Sequence, residues 1–546
     1  TNAAQIADNA QSAYDVQRIG GTVNLTNCWY ETYGGTLAST TGSITSGSVD
    51  FVDQANDDYR IGYSSACRNT GTGGGPSVDF AEVSRDGSPD MGAYEYVCSS
   101  PVAGTAATSD ATICSGTTGT LTVSGQTGRS IKWLQSTDNF VSNSADVSTG
   151  SGYESNSFTT TELTSTMYYR LAASCNSGDW SDQVVSNIIT MTVPSGDKYV
   201  DNDNGNDSNN GNSAGAGNAY QTLTYALSQA TCGTTIHVAA GTYQNDYDIS
   251  LRTSGGTEHD GISIVGAGRD ATIFDNDLAS GQQFMRIWGS VTNVTISDLT
   301  IREYSESASG SGLDIETSGI VTIQDVNFDA NTNTSSSNDG AGAYVSSSST
   351  AIFDRCKFTN NSGYNTSSSE GSCIYSEGTL TVQNCLFYDN DHGYDSDNGC
   401  VALFGGTSTI INCTFADNNE EPIYTENSGT HNITNCIFKD NTNAAQIADN
   451  TQSANDIERD GGTVNLTNCW YETYSGTLAS TTGSTTSGSV AFVDQANDDY
   501  RISYNSACNN TGTATGAPTV DFAENARNGD SQGYDMGAYE YVCSSP

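Results

Sequence analysis

The chain has 546 residues, with 63 Asp and Glu against 18 Lys and Arg, and its formal net charge is -45. Such a charge repels nucleic acids and anionic membranes, so both are excluded as partners. No apolar run approaches the roughly 18 residues of a membrane span. Regularly spaced Val, Ile and Leu, together with 29 Tyr and 15 Phe, predict an all-β protein with many turns. The 15 Cys indicate an oxidising, extracellular setting.

The first hundred residues repeat the end of the chain. Residues 1–72 match residues 442–513 with few differences, and DMGAYEYVCSSP occurs at 90–101 and again at 535–546. Repeats this similar usually come in series. We therefore expect residues 1–101 to be the C-terminal end of a preceding β-helix unit, residues 102–546 to be one full unit, and the natural protein to be a longer tandem array.

Residues 102–194 are predicted to form a small β-sandwich. The runs GTLTVSG, SIKWLQS, MYYRLAAS and NIITMTV alternate as short strands do. Cys114 precedes Trp133 and Cys175 follows it, as in immunoglobulin-like domains, where a buried Trp packs against a disulfide between the sheets. The segment resembles the Ig-like modules of bacterial surface proteins, and that resemblance implies a spacer.

Residues 196–546 contain the strongest pattern. Segments such as VTIQDVNF (321–328), LTVQNCLF (380–387) and HNITNCIF (431–438) alternate, lose phase at Asp or Asn, and alternate again. The loss of phase predicts a corner between two short strands, and its recurrence predicts a right-handed parallel β-helix. A helix over roughly 218–231 is expected to cap the start, and a closing segment is expected to cap the end.

Stacking these coils in register predicts interior columns. The Cys column is either a metal or redox cluster or simple stacking, and the small apolar thiol favours stacking. Asn tolerates the left-handed backbone of a corner, and its amide can bond to the next coil. Arg355 interrupts the first Asn column and is expected to mark an irregularity. The columns are Cys356, Cys385, Cys413, Cys436 and Cys469; Asn384, Asn412, Asn435 and Asn468; Asn331, Asn361, Asn390, Asn418 and Asn441; and Phe328, Phe358, Phe387, Phe415 and Phe438.

Other Cys are disulfide candidates. The sandwich pattern pairs Cys114 with Cys175. The closing segment offers Cys508 with Cys543, and the first copy repeats this pair as Cys67 with Cys98. Cys373 and Cys400 lie at matching positions of neighbouring coils, about 4.8 Å apart, which allows a bridge there too.

A calcium site is predicted in the loop DNDNGNDSN (201–209). Asp201, Asp203, Asp207 and Asn209 alternate around a Gly and offer the hard oxygen ligands that Ca²⁺ prefers. The loop has no closing Glu, so a solvated acidic turn is the alternative. The loop DNDHGYDSD (389–397) is a second, weaker candidate.

The opening of the long module resembles that of bacterial pectin-lyase-like β-helix proteins, and SACNNTGT…DMGAYEY resembles the ending of β-helix surface proteins of Bacteroidota. The whole chain therefore resembles the giant surface adhesins of Bacteroidota, including gliding adhesins exported by the type IX system. That resemblance implies a stalk or filament on the bacterial cell surface. Its partners would be neighbouring repeat units, surface polysaccharide and other cells.

Catalysis is not expected from the sequence. The four Lys and four His are scattered, and no metal-binding His motif occurs. Two alternatives to a structural role remain. A polysaccharide-binding module would need exposed aromatic side chains in one groove, for which Trp288 and Tyr304 are the nearest candidates. A β-helix lyase or hydrolase would need a basic residue and a carboxylate cluster on one face.

Overall fold

The computed structural model describes residues 16–17, 22–30, 33–34, 39–41, 43, 48–62, 65–71, 76–85, 89–98, 100–114, 117–128, 130–152, 154–175, 180–194, 196–252, 259–277, 281–334, 339–363, 371–391, 399–442, 455–527 and 533–542. The chain divides into two compact units, residues 1–112 with 117–192, and residues 113–116 with 193–546. Within the described residues, no helix is long and apolar enough to cross a membrane.

The first unit consists of short strands. Trp133 and Leu171 are fully buried in its core, and the Trp133 indole donates a hydrogen bond to the Ser155 carbonyl (3.0 Å). One sheet contains Thr105–Thr108, Thr120–Ser124 and Ser157–Thr159, and a second contains Ser130–Ser136, Ala145–Asp146, Met167–Ser174, Val184–Val185 and Ile189–Met191. Two further pairs are Val16–Gln17 with Tyr33–Gly34, and Phe51–Asp53 with Asp58–Ile61.

The disulfides differ from the predicted pairs. The structure joins Cys98 to Cys175 and Cys114 to Cys232, each with a Cα–Cα distance of 5.2 Å. The pairs Cys114–Cys175 and Cys67–Cys98 are therefore wrong, because a disulfide follows proximity in space and the partner of Cys114 is Cys232, 118 residues away in the sequence. Cys67 and Cys508 are buried free thiols, and Cys543 lies outside the described residues.

The second unit is a parallel β-helix, because the strands of its two long sheets pair in parallel with the matching strand of the next coil. Sheet A, as described, contains Lys198–Val200, Thr235–Val238, Gly241–Tyr243, Ser263–Val265, Thr272–Asp275, Val294–Arg302, Ile320–Asp329, Thr350–Asp354, Lys357–Thr359, Thr379–Gln383, Leu386–Tyr388, Thr407–Ile411, Thr414–Ala416, Thr430–Thr434, Ile437–Lys439, Thr463–Thr467 and Ser480–Thr482. Sheet B contains Ile249–Arg252, Met285–Gly289, Leu313–Thr317, Ala343–Val345, Ile374–Ser376, Gly399–Leu403, Glu421–Thr425, Ile457–Arg459 and Tyr474–Ser475. The pair Ser305–Glu306 with Thr332–Asn333 and the pair Phe492–Asp494 with Asp499–Ile502 complete the described strands.

Sheet A bends at a corner in each coil, where one residue has a left-handed backbone. Its φ lies between 49° and 60° at Asp298, Asp325, Arg355, Asn384, Asn412, Asn435 and Asn468. Asp and Asn adopt this conformation readily. The expected irregularity at Arg355 is absent from the backbone, since Arg355 has the same conformation as its neighbours in the column. What changes there is the side chain, which pairs with Asp325 at the preceding corner.

The interior columns stack coil on coil. Successive Phe rings of the aromatic column lie parallel with centroids 4.4–5.1 Å apart. The column of Asn331, Asn361, Asn390, Asn418 and Asn441 forms an amide ladder, in which each side-chain N–H donates to the next carboxamide oxygen at 2.9–3.1 Å. The Cys column is fully buried, and its thiols donate to backbone carbonyls.

The first Asn column makes a different set of contacts from the expected ladder. Asn435 bonds to Asn412 at 3.3 Å, but Asn412, Asn435 and Asn468 also donate to carbonyls of the closing segment. Arg527 of that segment donates to the Asn384 carboxamide (2.8 Å) and pairs with Glu540. The closing segment therefore folds back along the corners of the coils that precede it.

The cap at the start is shorter than predicted. The helix spans Leu223–Ser228, and the Thr222 hydroxyl accepts the Tyr225 N–H at its beginning. Residues 218–221 are not helical, because Asp207 holds the turn there by accepting the Gln221 and Thr222 N–H groups (2.8 and 3.1 Å). Leu223, Ala226 and Leu227 are buried against the first strands.

Candidate functional site

The outer face of sheet B presents a row of polar and aromatic side chains. Side chains alternate across a strand, so residues between core positions point away from the core. Leu313 and Ile315 are fully buried in the core, and Asp314 and Glu316 therefore lie on the outer face. The register places Arg286, Asp314, Tyr344, Tyr375, Ala402, Tyr424 and Glu458 in one outer column.

Three of these side chains form what we call the carboxylate cluster: Arg286, Asp314 and Glu316. Arg286 lies one coil before the two acids, directly opposite Asp314. Its Nε is 3.1 Å from Asp314 Oδ2, and its Nη2 contacts Glu316 Oε2. Arg286 is exposed, whereas Asp314 is only 5% exposed. One guanidinium thus lies between a buried and a half-exposed carboxyl group.

The environment of Asp314 favours its protonated form. Burial is the main cause, and repulsion from Glu316 adds to it, so the pKa of Asp314 rises to about 7 although Arg286 opposes the shift. Asp314 Oδ1 is buried and has no hydrogen-bond partner among the described residues. Burial and the nearby Glu377, Asp314 and Glu316 carboxyl groups also raise the pKa of Tyr344 to about 12. A carboxyl group in such a setting can donate a proton near neutral pH.

Aromatic side chains flank the cluster. Trp288 lies on the same strand as Arg286, and the guanidinium groups of Arg252 and Arg286 lie 5.5 and 5.4 Å from its ring centre. Further along the axis, Tyr344, Tyr375 and Phe404 stack on one another at 5.6 and 4.9 Å. The surface beside the cluster therefore combines aromatic edges with hydrogen-bonding groups, as polar ligand sites often do.

The second aromatic residue singled out in the sequence lies elsewhere. Tyr304 is 1% exposed, and its hydroxyl donates to the Asp246 carbonyl (2.6 Å) in the interior. The other aromatic candidate, Trp288, is half-buried on the outer face of sheet B. Tyr304 is therefore wrong as a candidate for an exposed aromatic groove, because the sequence pattern does not show which way a side chain points just after the strand Val294–Arg302.

A second charged group, the corner cluster, consists of Asp325 and Arg355 at corners of sheet A and Arg269 in the turn before the strand Thr272–Asp275. Asp325 accepts two hydrogen bonds from Arg355 (3.1 and 2.7 Å) and contacts Arg269 as well. The Arg269 guanidinium stacks over Phe522 of the closing segment at 4.4 Å. A cleft of about 430 Å³ lies here. The Asp325 carboxylate is already paired with two guanidinium groups. It is therefore less available to a substrate than the acids of the carboxylate cluster.

Three of the four predicted calcium ligands already form side-chain hydrogen bonds within their own chain. Asp201 accepts the N–H groups of Asp203 and Asn204, Asp207 holds the turn before the helix, and Asn209 donates to the Ala219 carbonyl (2.7 Å). Calcium at this loop remains a prediction. Most of the second candidate loop, residues 392–397, lies outside the described residues.

Sequence analysis missed Arg286, Asp314 and Glu316. The signal was present, since MRIWG and LDIET both place polar or aromatic residues between apolar ones. The corner motif that recurs from coil to coil belongs to sheet A. Sheet B has no such motif, and the register between 286 and 314 becomes visible only in the structure.

The comparisons with known proteins agree with this architecture. A family model described as a right handed beta helix region matches residues 243–393 and 311–492. A domain of unknown function (DUF8696) matches residues 102–195. No curated protein matches the chain. The second unit is therefore a right-handed parallel β-helix.

Among solved structures, the chain is similar to ORF18 of Geobacillus virus E2, with 15% identity, a TM-score of 0.25, and coverage of 47% of this chain and 57% of that one. A rhamnogalacturonan lyase shows 12% identity, a TM-score of 0.24, and coverage of 50% and 87%. The family 28 exopolygalacturonase of Yersinia enterocolitica shows 10% identity, a TM-score of 0.22, and coverage of 67% and 92%. The chain thus spans about 57% of the viral protein's length.

The expectation that the chain has no catalytic activity is contradicted by these comparisons, because a lyase and a hydrolase are among the similar structures. Their low identity and TM-scores transfer no particular reaction to this chain. A hypothesis about chemistry has to come from the chain's own residues.

Proposed function

We propose that the second unit binds polysaccharide along the outer face of sheet B and hydrolyses glycosidic bonds at the carboxylate cluster. One observation carries the proposal: Asp314 and Glu316 are alternate residues of one strand, and their surroundings differ. Asp314 is buried with a pKa raised to about 7, and Glu316 is half-exposed beside Arg286. Glycoside hydrolysis requires such a pair of carboxyl groups, one protonated and one ionised.

The roles follow from these surroundings. Asp314 gives its proton to the glycosidic oxygen as the bond to the sugar carbon breaks. Glu316 takes a proton from the water whose oxygen bonds to that carbon, and proton exchange with solvent restores both groups. Arg286 forms an ion pair with Glu316 and, being exposed, can also contact an anionic sugar.

Release of reducing ends from a panel of neutral and acidic polysaccharides tests the proposal. We expect Asp314→Asn to lower the rate by about 10²–10⁴-fold, the usual contribution of a general acid. The matched control is Asp275→Asn, which alters an equally buried carboxylate that is paired with Arg302 on sheet A (2.6 Å). Equal rates for the wild type and Asp314→Asn, or no cleavage of any polysaccharide, would reject the proposal.

A structural role in an extracellular bacterial surface filament or adhesin is a second candidate. The repeat of residues 1–72 at 442–513 favours it, as do the two disulfides and the unbroken interior columns. Its partners would be neighbouring units, surface polysaccharide and other cells. Electron microscopy of native material should show thin fibres with a regular axial repeat, and compact separate particles would count against it.

A further inference from the structure

Three donor side chains meet inside the β-helix, away from the carboxylate cluster. Cys373, Cys400 and Glu420 come from three successive coils, and their ligand atoms all lie within 4.8 Å of one another. Cys373 N–H donates to the Cys400 carbonyl (3.0 Å), which places the two thiols side by side. All three residues are at most 1% exposed.

The Glu420 carboxyl group is incompletely paired. One of its oxygens accepts the Ser372 hydroxyl, and Oε2 has no hydrogen-bond partner among the described residues although it is buried. An ionised Glu420 would lack a counter-charge, and a protonated one would lack an acceptor for Oε2–H. Either state leaves a buried polar group unsatisfied, which in native proteins indicates an absent partner such as an ion or water.

The hydrogen bonds of the Cys373 and Cys400 thiols differ from those of the other buried Cys side chains. Thiols of the Cys column donate to backbone carbonyls, as Cys385 does to Gln383 (3.2 Å). The Sγ atoms of Cys373 and Cys400 instead face each other at 2.8 Å, with the Ser372 hydroxyl 3.5 Å from Cys373 Sγ. A disulfide between them would still leave Glu420 Oε2 without a partner. A cation bound by the thiolates and the carboxylate would satisfy all three groups, and the two Sγ atoms would move apart from 2.8 Å to accommodate it.

We propose that Cys373, Cys400 and Glu420 bind a divalent, thiophilic metal ion of the zinc class. Two thiolates and a carboxylate are a ligand set that zinc accepts, with Zn–S distances of about 2.3 Å. Each thiol releases its proton to solvent as the ion binds, so affinity falls as the pH is lowered. The ion joins three consecutive coils of the β-helix.

Cobalt(II) is a suitable probe, since thiolate ligation gives charge-transfer absorption in the near ultraviolet. The full chain, isolated without chelator and with its two disulfides intact, is freed of metal and titrated with CoCl₂. We expect one thiolate-bound cobalt per chain, no such band for Cys400→Ser, and binding weakened by about tenfold or more for Glu420→Gln. Cys413→Ser, which alters a buried thiol of the Cys column, should leave the band unchanged.

Thermal unfolding of the wild type provides a second readout that needs no variant to fold. Added Zn²⁺ should raise its midpoint, and excess chelator should reverse the shift. Absence of the cobalt band, an unchanged band in Cys400→Ser, or a Cys373–Cys400 disulfide in the isolated protein would overturn the proposal. None of these outcomes depends on polysaccharide cleavage.

Discussion

The carboxylate cluster and the corner cluster use the same residue types on one β-helix, but they treat the acid differently. At the corner, Asp325 accepts two hydrogen bonds from Arg355 and a contact from Arg269. On the outer face of sheet B, Asp314 has one Arg contact at 3.1 Å, and its other oxygen has none among the described residues. Paired charges of the first kind stabilise the fold, whereas a buried acid with one unsatisfied oxygen and a raised pKa is typical of a functional site.

The largest difference between the two clusters is expected in the stability of variants that remove Asp325, the acid of the corner cluster. Asp325→Ala leaves the buried Arg355 without its main partner, and we expect the free energy of unfolding to fall by about 3–5 kcal/mol. Urea unfolding measures this change. Asp499→Ala is the control, because the Asp499–Arg501 pair is exposed on the surface and should contribute under about 1 kcal/mol. Equal effects of the two variants would show that the corner pairing does not stabilise the fold.

The Asn ladder is the uncharged counterpart of a saturated cluster. Asn390 bonds to Asn361, Asn418 and the Phe358 carbonyl, and it is fully buried. Asn390→Ala leaves several of these groups unpaired, so we expect a loss of about 1–3 kcal/mol in urea unfolding. The control is Asn465→Ala, which removes an exposed carboxamide bond to Asn432 between neighbouring coils. A loss for Asn390→Ala no larger than that control would contradict the account.

The protonation state of Asp314 should determine the pH dependence of cleavage. Asp314 donates a proton only while it is protonated, and its pKa is raised to about 7. The rate should therefore be flat on this limb below about pH 7 and fall about tenfold per pH unit above it. A pH–rate profile on the best polysaccharide substrate measures this. A descending limb near pH 4 would mean that another group is the proton donor.

The sequence predicted the parts of this fold that repeat. The motif that ends at Phe328, Phe358 and Phe387 gives the corner, the interior alternation and the aromatic stack, since each coil restates the same local chemistry. Contacts made once were not predictable in this way. Arg527 donates a hydrogen bond to Asn384, 143 residues away in the sequence. Cys114 forms a disulfide with Cys232, 118 residues away.

The candidate site belongs to the second kind. Arg286 and Asp314 are opposite each other only because of the register of two strands of sheet B, which no corner motif marks. The raised pKa of Asp314 arises from burial, and a single sequence contains little information about the burial of one outer-face carboxyl group. The alternation of LDIET showed which side chains share a face, but it did not show how deeply they lie.

The most direct test of the central claim is urea unfolding of Asp314→Asn and wild type at pH 5 and pH 8. Because the folded-state pKa of Asp314 is raised above its unfolded value near 4, folding stability from this group falls as pH rises from about 4 through 7. Asn does not titrate. Between pH 5 and pH 8, the free energy of unfolding of the variant should therefore rise relative to that of the wild type by at least about 1.4 kcal/mol, which corresponds to one pKa unit. If the free energy of unfolding of the variant instead falls relative to that of the wild type at pH 8, ionised Asp314 is a structural partner of Arg286.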